Sequence, residues 1–113
     1  MTNYLLSIDI GTSACKVVIF DVDGNVIASS NKAYNVYYPA EGYAEQDPNE
    51  WWQATCSAIK EAILLGKVDP SAIAGIGVDG QSWSAIPIGK DGQVLTNTPI
   101  WMDTRAKDIC DRL

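Results

Sequence analysis

The sequence contains no histidine, no C-x-x-C pair and no run of basic residues. Each absence removes a function class. Without histidine or paired cysteines, a Cys/His zinc site cannot be built. The formal net charge of -6 argues against a nucleic acid backbone as partner. No apolar run approaches the ~20 residues of a membrane helix. The first residues carry no positive segment ahead of an apolar stretch, so no signal peptide is expected. Cysteine is sparse, odd in number and widely spaced, at Cys15, Cys56 and Cys110. Free thiols in a reducing compartment are therefore expected rather than a disulfide frame, and a cytoplasmic location with them. Internal repeats and low-complexity tracts are missing as well.

Hydrophobic residues make up 47% of the 113 and charged residues 19%, enough to bury a core. Tyr4 to Ile10 is a short apolar run ending in a carboxylate, and Gly11-Thr12-Ser13 breaks it. Cys15 to Phe20 is rich in β-branched residues and predicts a second strand. Asp21 to Asn25 supplies turn chemistry, with Gly24 free to adopt positive φ, and Val26 to Ala33 continues as a third strand. Tyr34 to Gln46 predicts an irregular loop.

Asp47-Pro48-Asn49-Glu50 predicts a helix start, with Asp47 as cap, Pro48 in the first position and Glu50 closing a capping box. Trp51, Thr55, Ala58, Ile59, Ala62 and Ile63 follow at helical spacing, and Gly66 fits the left-handed stop. Trp51 and Trp52 read most simply as core and rim packing. Ile73 to Asp79 predicts a strand parallel to an earlier one, since it returns through that helix. Ser84 to Ile88 predicts another strand, an Asp-Gly turn follows at Asp91-Gly92, and Thr104 is expected to open a last helix with Ala106, Ile109, Cys110 and Leu113 on one face. That uncovered apolar stripe suggests a truncated chain and a capacity to self-associate as a homodimer. Order alone gives α/β or α+β. The meander, helix and returning strand resemble the ribonuclease H-like fold, the half-unit of the actin and hexokinase superfamily, with a mixed sheet and flanking helices.

Three segments carry candidate chemistry. Gly11 in Asp9-Ile10-Gly11-Thr12-Ser13 lets backbone N–H groups approach phosphate oxygens; Thr12 and Ser13 add hydroxyls, and Asp9 could hold Mg²⁺ through water. A plain hairpin explains the same spacing equally well. Asp79-Gly80-Gln81-Ser82-Trp83 ends a parallel strand, where open sheets place ligands; Gln81 offers donor and acceptor, Trp83 a flat face. A polar turn with a packed tryptophan competes. Asp103 and Arg105 in Trp101-Met102-Asp103-Thr104-Arg105 could bind hydroxyls or a phosphate, or could be a cap with an exposed arginine. Two decoys fail: Gly75 to Gly80 matches G-x-G-x-x-G but is itself the strand, and Asp21 to Asn25 lacks the glycine and glutamate positions of a calcium loop.

Taken together, Asp9-Ile10-Gly11-Thr12-Ser13, Glu45-Gln46-Asp47-Pro48-Asn49-Glu50-Trp51-Trp52, Ile76-Gly77-Val78-Asp79-Gly80-Gln81 and Trp101-Met102-Asp103-Thr104-Arg105 closely resemble the N-terminal region of the FGGY carbohydrate kinases. The resemblance spans almost the whole chain and is nearest to the xylulose kinase type. It implies residues 1–113 as one incomplete N-terminal domain of an enzyme that moves the γ-phosphoryl group of ATP, with Mg²⁺, onto a hydroxyl of a ketopentose, D-xylulose first. By it, Asp9, Gly11, Thr12, Ser13 and Lys16 serve the Mg–phosphate end, and Gln81, Ser82, Trp83, Trp101, Asp103 and Arg105 the sugar. The catalytic aspartate of the family falls beyond Leu113, so the 113-residue chain is expected to be inactive alone. One departure concerns the sugar: Ser82-Trp83-Ser84 stands where xylulose kinases carry Met-His-Gly and glycerol kinases follow the glutamine with Arg-Glu. The rival readings are a metal-dependent nuclease of the same fold, with Asp9 as a ligand, and a non-catalytic sugar-sensing module.

Overall fold

The structure, a computed structural model, describes residues 2–113. Three strands open the chain as a meander: β1 (Tyr4–Ile10), β2 (Ala14–Asp21) and β3 (Val26–Ala33). Leu6 and Ile8 of β1 alternate with Leu5, Ser7 and Asp9, so one face is apolar and the other mixed. The β2–β3 turn closes on Asp21. Its carboxylate accepts from the N–H of Asp23 at 3.0 Å, the N–H of Asn25 at 2.8 Å and the Asn25 amide at 2.9 Å, while Gly24 takes φ 87°. Those bonds hold the Asp21 carboxyl below its ordinary pKa, the Asn25 side chain contributing most. With its oxygens committed to the turn, this segment is no calcium loop.

After a mostly irregular stretch, β4 (Glu45–Gln46) leads into α1 (Pro48–Gly66). Asp47 caps the helix by accepting from the Asn49 N–H at 2.9 Å. The capping box does not close, because Glu50 is drawn to Tyr37 Oη and the Asn35 N–H instead. The left-handed stop also sits one residue later than expected, at Lys67 with φ 50°, Gly66 being the last helical residue. Space is tight at Gly66: a Cβ there would lie 3.1 Å from the Ala28 methyl.

α1 buries a face of small residues, Ala54, Thr55, Ala58 and Ala62, against Cys15, Val17 and Ile19. Small side chains let the helix lie close over β2 and β3, and it barely reaches β1. A short 3₁₀ turn at Pro70–Ala72 returns the chain to β5 (Ile73–Gly80), parallel to β1, in the sheet order β3-β2-β1-β5. Among the described residues no helix covers β5, so Ile76 and Val78, on the α1 side of the sheet, stay 63% and 67% exposed.

Beyond β5 the expectations from sequence hold less well. Ser84 to Ile88 is not a strand: Pro87 lacks an N–H, and only an isolated bridge joins Ile88 to Val94 around the Gly92 turn, φ 80°. β6 (Thr98–Pro99) pairs with β4. Thr104 does not open a helix, since its N–H and hydroxyl both go to the Gly42 carbonyl, at 2.8 and 3.2 Å. α2 is one turn, Lys107–Cys110, without a side-chain cap, and Ile109 and Leu113 are exposed. Among the described residues no helix is long and apolar enough to cross a membrane.

Candidate functional site

The Gly11-Thr12-Ser13 loop joins the ends of β1 and β2, the two strands paired on both sides. Its carbonyls are held from behind. Gly11 O accepts from the Tyr34 hydroxyl and from Gln81 Nε2 at 3.3 Å, and Thr12 O accepts from Gln46 Nε2 at 2.6 Å. In a planar trans peptide the N–H points opposite to the C=O. Fixing those two carbonyls therefore turns the N–H groups of Thr12 and Ser13 outward, and neither has a partner among the described residues. Two adjacent donors left free on a turn are the kind of arrangement that accepts an anion. Tyr34 remains a donor, because burial, followed by the nearby Cys15 and Asp9 groups, holds its phenol well above the ordinary range.

Asp9 stands beside Lys16 on β2 and Asp79 on β5, all three in register. Alternation places them on the sheet face opposite α1, at the same end as the loop. Asp79 was not singled out from sequence. Its carboxylate accepts from the Gly80 N–H at 2.8 Å, whereas Asp9 and Lys16 are exposed.

The residue that organises the site is one the sequence did not mark. Gln46 is fully buried, and besides its bond to Thr12 O its Oε1 accepts from Trp51 Nε1 at 3.0 Å and Gln81 Nε2 at 2.7 Å. Trp51 is thus more than packing: its indole N–H fixes this amide. Nothing local in Glu45-Gln46-Asp47-Pro48 reveals that role beyond the segment's membership in a recurring motif.

On the other side, Gln81 is anchored by its own N–H to Ile10 O at 2.9 Å, and Gly80 is required there, since a Cβ would come 2.7 Å from that carbonyl. Gln81 Oε1 and Ser84 Oγ are buried without a partner among the described residues, and both residues line a cavity of about 460 Å³ with Trp51 and Trp83. Trp83 is 93% exposed at φ 70°, a strained conformation for a bulky residue. With Trp101 it walls a second cavity of about 370 Å³. Trp101 is tied to the loop, its Nε1 donating to Thr12 Oγ1 at 2.8 Å. Ser82 is exposed between these groups.

Asp103 and Arg105 are placed differently from the expectation. Asp103 accepts from Ala44 N at 2.8 Å, Arg105 N at 3.0 Å, Arg105 Nε at 2.9 Å and Arg105 Nη2 at 2.7 Å. A carboxylate has about four lone-pair directions, so these bonds leave none for a sugar hydroxyl. Arg105, the largest contributor, holds the Asp103 carboxyl well below its usual range. Arg105 in turn binds Glu45 at 2.7 Å and lies 3.9 Å over the Tyr43 ring, and its guanidinium is held above its ordinary value, by Asp103 first. The pair is a clamp that fastens the Trp101–Arg105 segment onto β4.

A mixed sheet in the order 3-2-1-5 with a helix on one face and a glycine turn joining its two central strands defines the ribonuclease H-like half-unit of the actin and hexokinase superfamily. Residues 4–113 match the model of the FGGY family of carbohydrate kinases, N-terminal domain, and the chain belongs to that family. It is 39% identical to the glycerol kinase of Petrotoga mobilis, with 100% of this chain and 23% of the relative aligned, and 36% identical to the xylulose kinase of Bacillus subtilis, over 97% and 22%. The crystal structure of gluconate kinase from Lactobacillus acidophilus superimposes with a TM-score of 0.89 at 35% identity, over 99% of this chain and 22% of that one. The chain thus spans less than a quarter of the length of these relatives, and their names divide among three substrates.

Proposed function

We propose that residues 1–113 are the first part of the N-terminal domain of an ATP-dependent sugar kinase, which transfers the γ-phosphoryl group of ATP to a hydroxyl of a ketopentose, D-xylulose first among them. The observation that carries this reading is the pair of outward N–H groups at Thr12 and Ser13, braced by three side chains. Gly11, Thr12, Ser13 and Lys16 would meet phosphate oxygens, with charge neutralisation as their main contribution.

Mg²⁺ fits the donor set in a limited way. Among the described residues no cluster of three or more ligating side chains gathers, but Asp9 is exposed beside Asp79. One or two carboxylates suit a hydrated Mg²⁺ shared with phosphates. Bound there, the ion would offset phosphate charge, while Asp9 would hold it through water. A nuclease would need more carboxylates around one point than Asp9 and Asp79 supply.

The sugar would lie against Gln81, Ser82, Trp83 and Trp101, with Asp103 and Arg105 positioning Trp101 rather than touching substrate. The group that takes the hydroxyl proton is expected from the remaining length of the enzyme. An ADP-release assay on the full-length protein, across pentuloses, hexuloses, glycerol and gluconate, tests the reading. Turnover led by D-xylulose supports it, turnover led by another sugar keeps the kinase and moves the substrate, and silence across the panel refutes it in favour of a sugar-sensing module.

A further inference from the structure

We propose that Gln46 is a positioning residue that couples the Gly11–Ser13 loop to the Gln81–Trp83 segment through a single buried amide. Its two ends do different work. The NH₂ group draws Thr12 O inward at 2.6 Å and so aims the Ser13 N–H out. The carbonyl oxygen accepts Gln81 Nε2 at 2.7 Å, which decides the orientation of the Gln81 amide: its donor faces Gln46 and Gly11 O, and its oxygen is left as a buried acceptor without a partner among the described residues, in a side chain that lines the cavity. Trp51 Nε1, at 3.0 Å on the same oxygen, prevents Gln46 from turning over, since the flipped amide would set NH₂ against an indole N–H.

The three partners come from separate elements: the β1–β2 loop, α1 and the end of β5. Gln46 itself sits on β4, which is paired with β6. A displacement of the loop at Thr12 is therefore relayed to Gln81 by Gln46, beside the longer direct contact of Gln81 Nε2 with Gly11 O, and a group that binds Gln81 Oε1 stiffens the loop. The cavity at Gln81 then favours a ligand that presents a hydroxyl donor to that acceptor.

The structural half of the test uses the chain as it is. In ¹H–¹⁵N spectra, Gln46→Met should move the backbone amide of Ser13 and the side-chain amide of Gln81 together. Thr98→Val is the control: Thr98 is equally buried and is the cross-strand partner of Gln46, but its hydroxyl bonds to Ala85 O, so valine keeps the strand pairing and removes no bond of the Gln46 amide. It should move neither. Gln46→Glu adds an arm that survives if Gln46→Met fails to fold: the acid keeps the acceptor and donates to Thr12 O only while protonated. Its Ser13 signal should match wild type at low pH and depart as pH rises, with a midpoint above the ordinary carboxylate range because the site is buried.

The kinetic half rests on the kinase reading. In the full-length enzyme Gln46→Met should raise KM for both ATP and sugar about tenfold, as the loss of a buried hydrogen-bond partner implies, with kcat less affected, and Thr98→Val should not. An unmoved Ser13 signal in Gln46→Met, a pH-independent Gln46→Glu, or equal shifts in Thr98→Val would each overturn the proposal. Absence of any sugar phosphorylation by the wild-type enzyme would instead refute the kinase reading, and the spectra would still decide Gln46.

Discussion

Replacing Asp103 by alanine isolates the clamp that holds the last segment against β4. The Asp103 side chain is 5% exposed and accepts four hydrogen bonds, one from Ala44 N and three from Arg105. Alanine leaves the Ala44 N–H without its acceptor and Arg105 with only Glu45. Arg105 can turn to water, so the full cost of breaking a buried pair does not apply; a loss of about 2 kcal/mol follows from charge-assisted bonds. For a domain of this size that lowers Tm by about 8 °C. Thermal unfolding by circular dichroism on the chain reads it directly.

The same variant fixes the pH dependence. Asp103 titrates below its unfolded value of 3.8, so its contribution is complete above about pH 5 and is lost as pH falls through the folded value. The gap between wild type and Asp103→Ala should be constant from pH 5 to 8 and narrow in stronger acid. Asparagine, which keeps one oxygen, should fall between the two. A variant melting within 1–2 °C of wild type, well inside the ~8 °C expected, or a gap that widens in acid, would refute the clamp.

Two other substitutions probe the backbone. Trp83→Gly relieves the φ 70° conformation while losing little packing, so stability should rise by about 1 kcal/mol; in the full-length enzyme it should weaken sugar use, measured as kcat/KM. Unchanged or lower stability would remove the case for strain at Trp83. Gly80→Ala drives a Cβ to 2.7 Å from Ile10 O and should cost about 1–3 kcal/mol by urea unfolding, separating β5 from β1. A neutral Gly80→Ala would mean the strands yield more easily than the packing implies.

Local chemistry was legible in the sequence. Asp21 and Gly24 form the turn their spacing requires, and Asp47 and Pro48 start the helix. Misreadings arose where a distant partner decides. Ser84 to Ile88 has strand composition but only an isolated bridge, Thr104 is captured by Gly42 across the fold, and Glu50 is diverted from its cap by Tyr37. Gln46 was invisible for the same reason, since its bonds reach residues 12, 51 and 81. Asp103 and Arg105 stood out as candidate polar groups, but a motif cannot tell a carboxylate that waits for substrate from one already saturated by a neighbouring arginine.

The loop at residues 11–13 is braced by groups that arrive late in the chain. Its bonds span 34 residues to Gln46, 70 to Gln81 and 89 to Trp101. A ribosome would release the loop long before the parts that aim it, and contacts of such long sequence separation form slowly. A half-made chain would therefore carry the loop with its carbonyls still unbraced, and the turn would take its final shape only once residues 46, 81 and 101 have joined it.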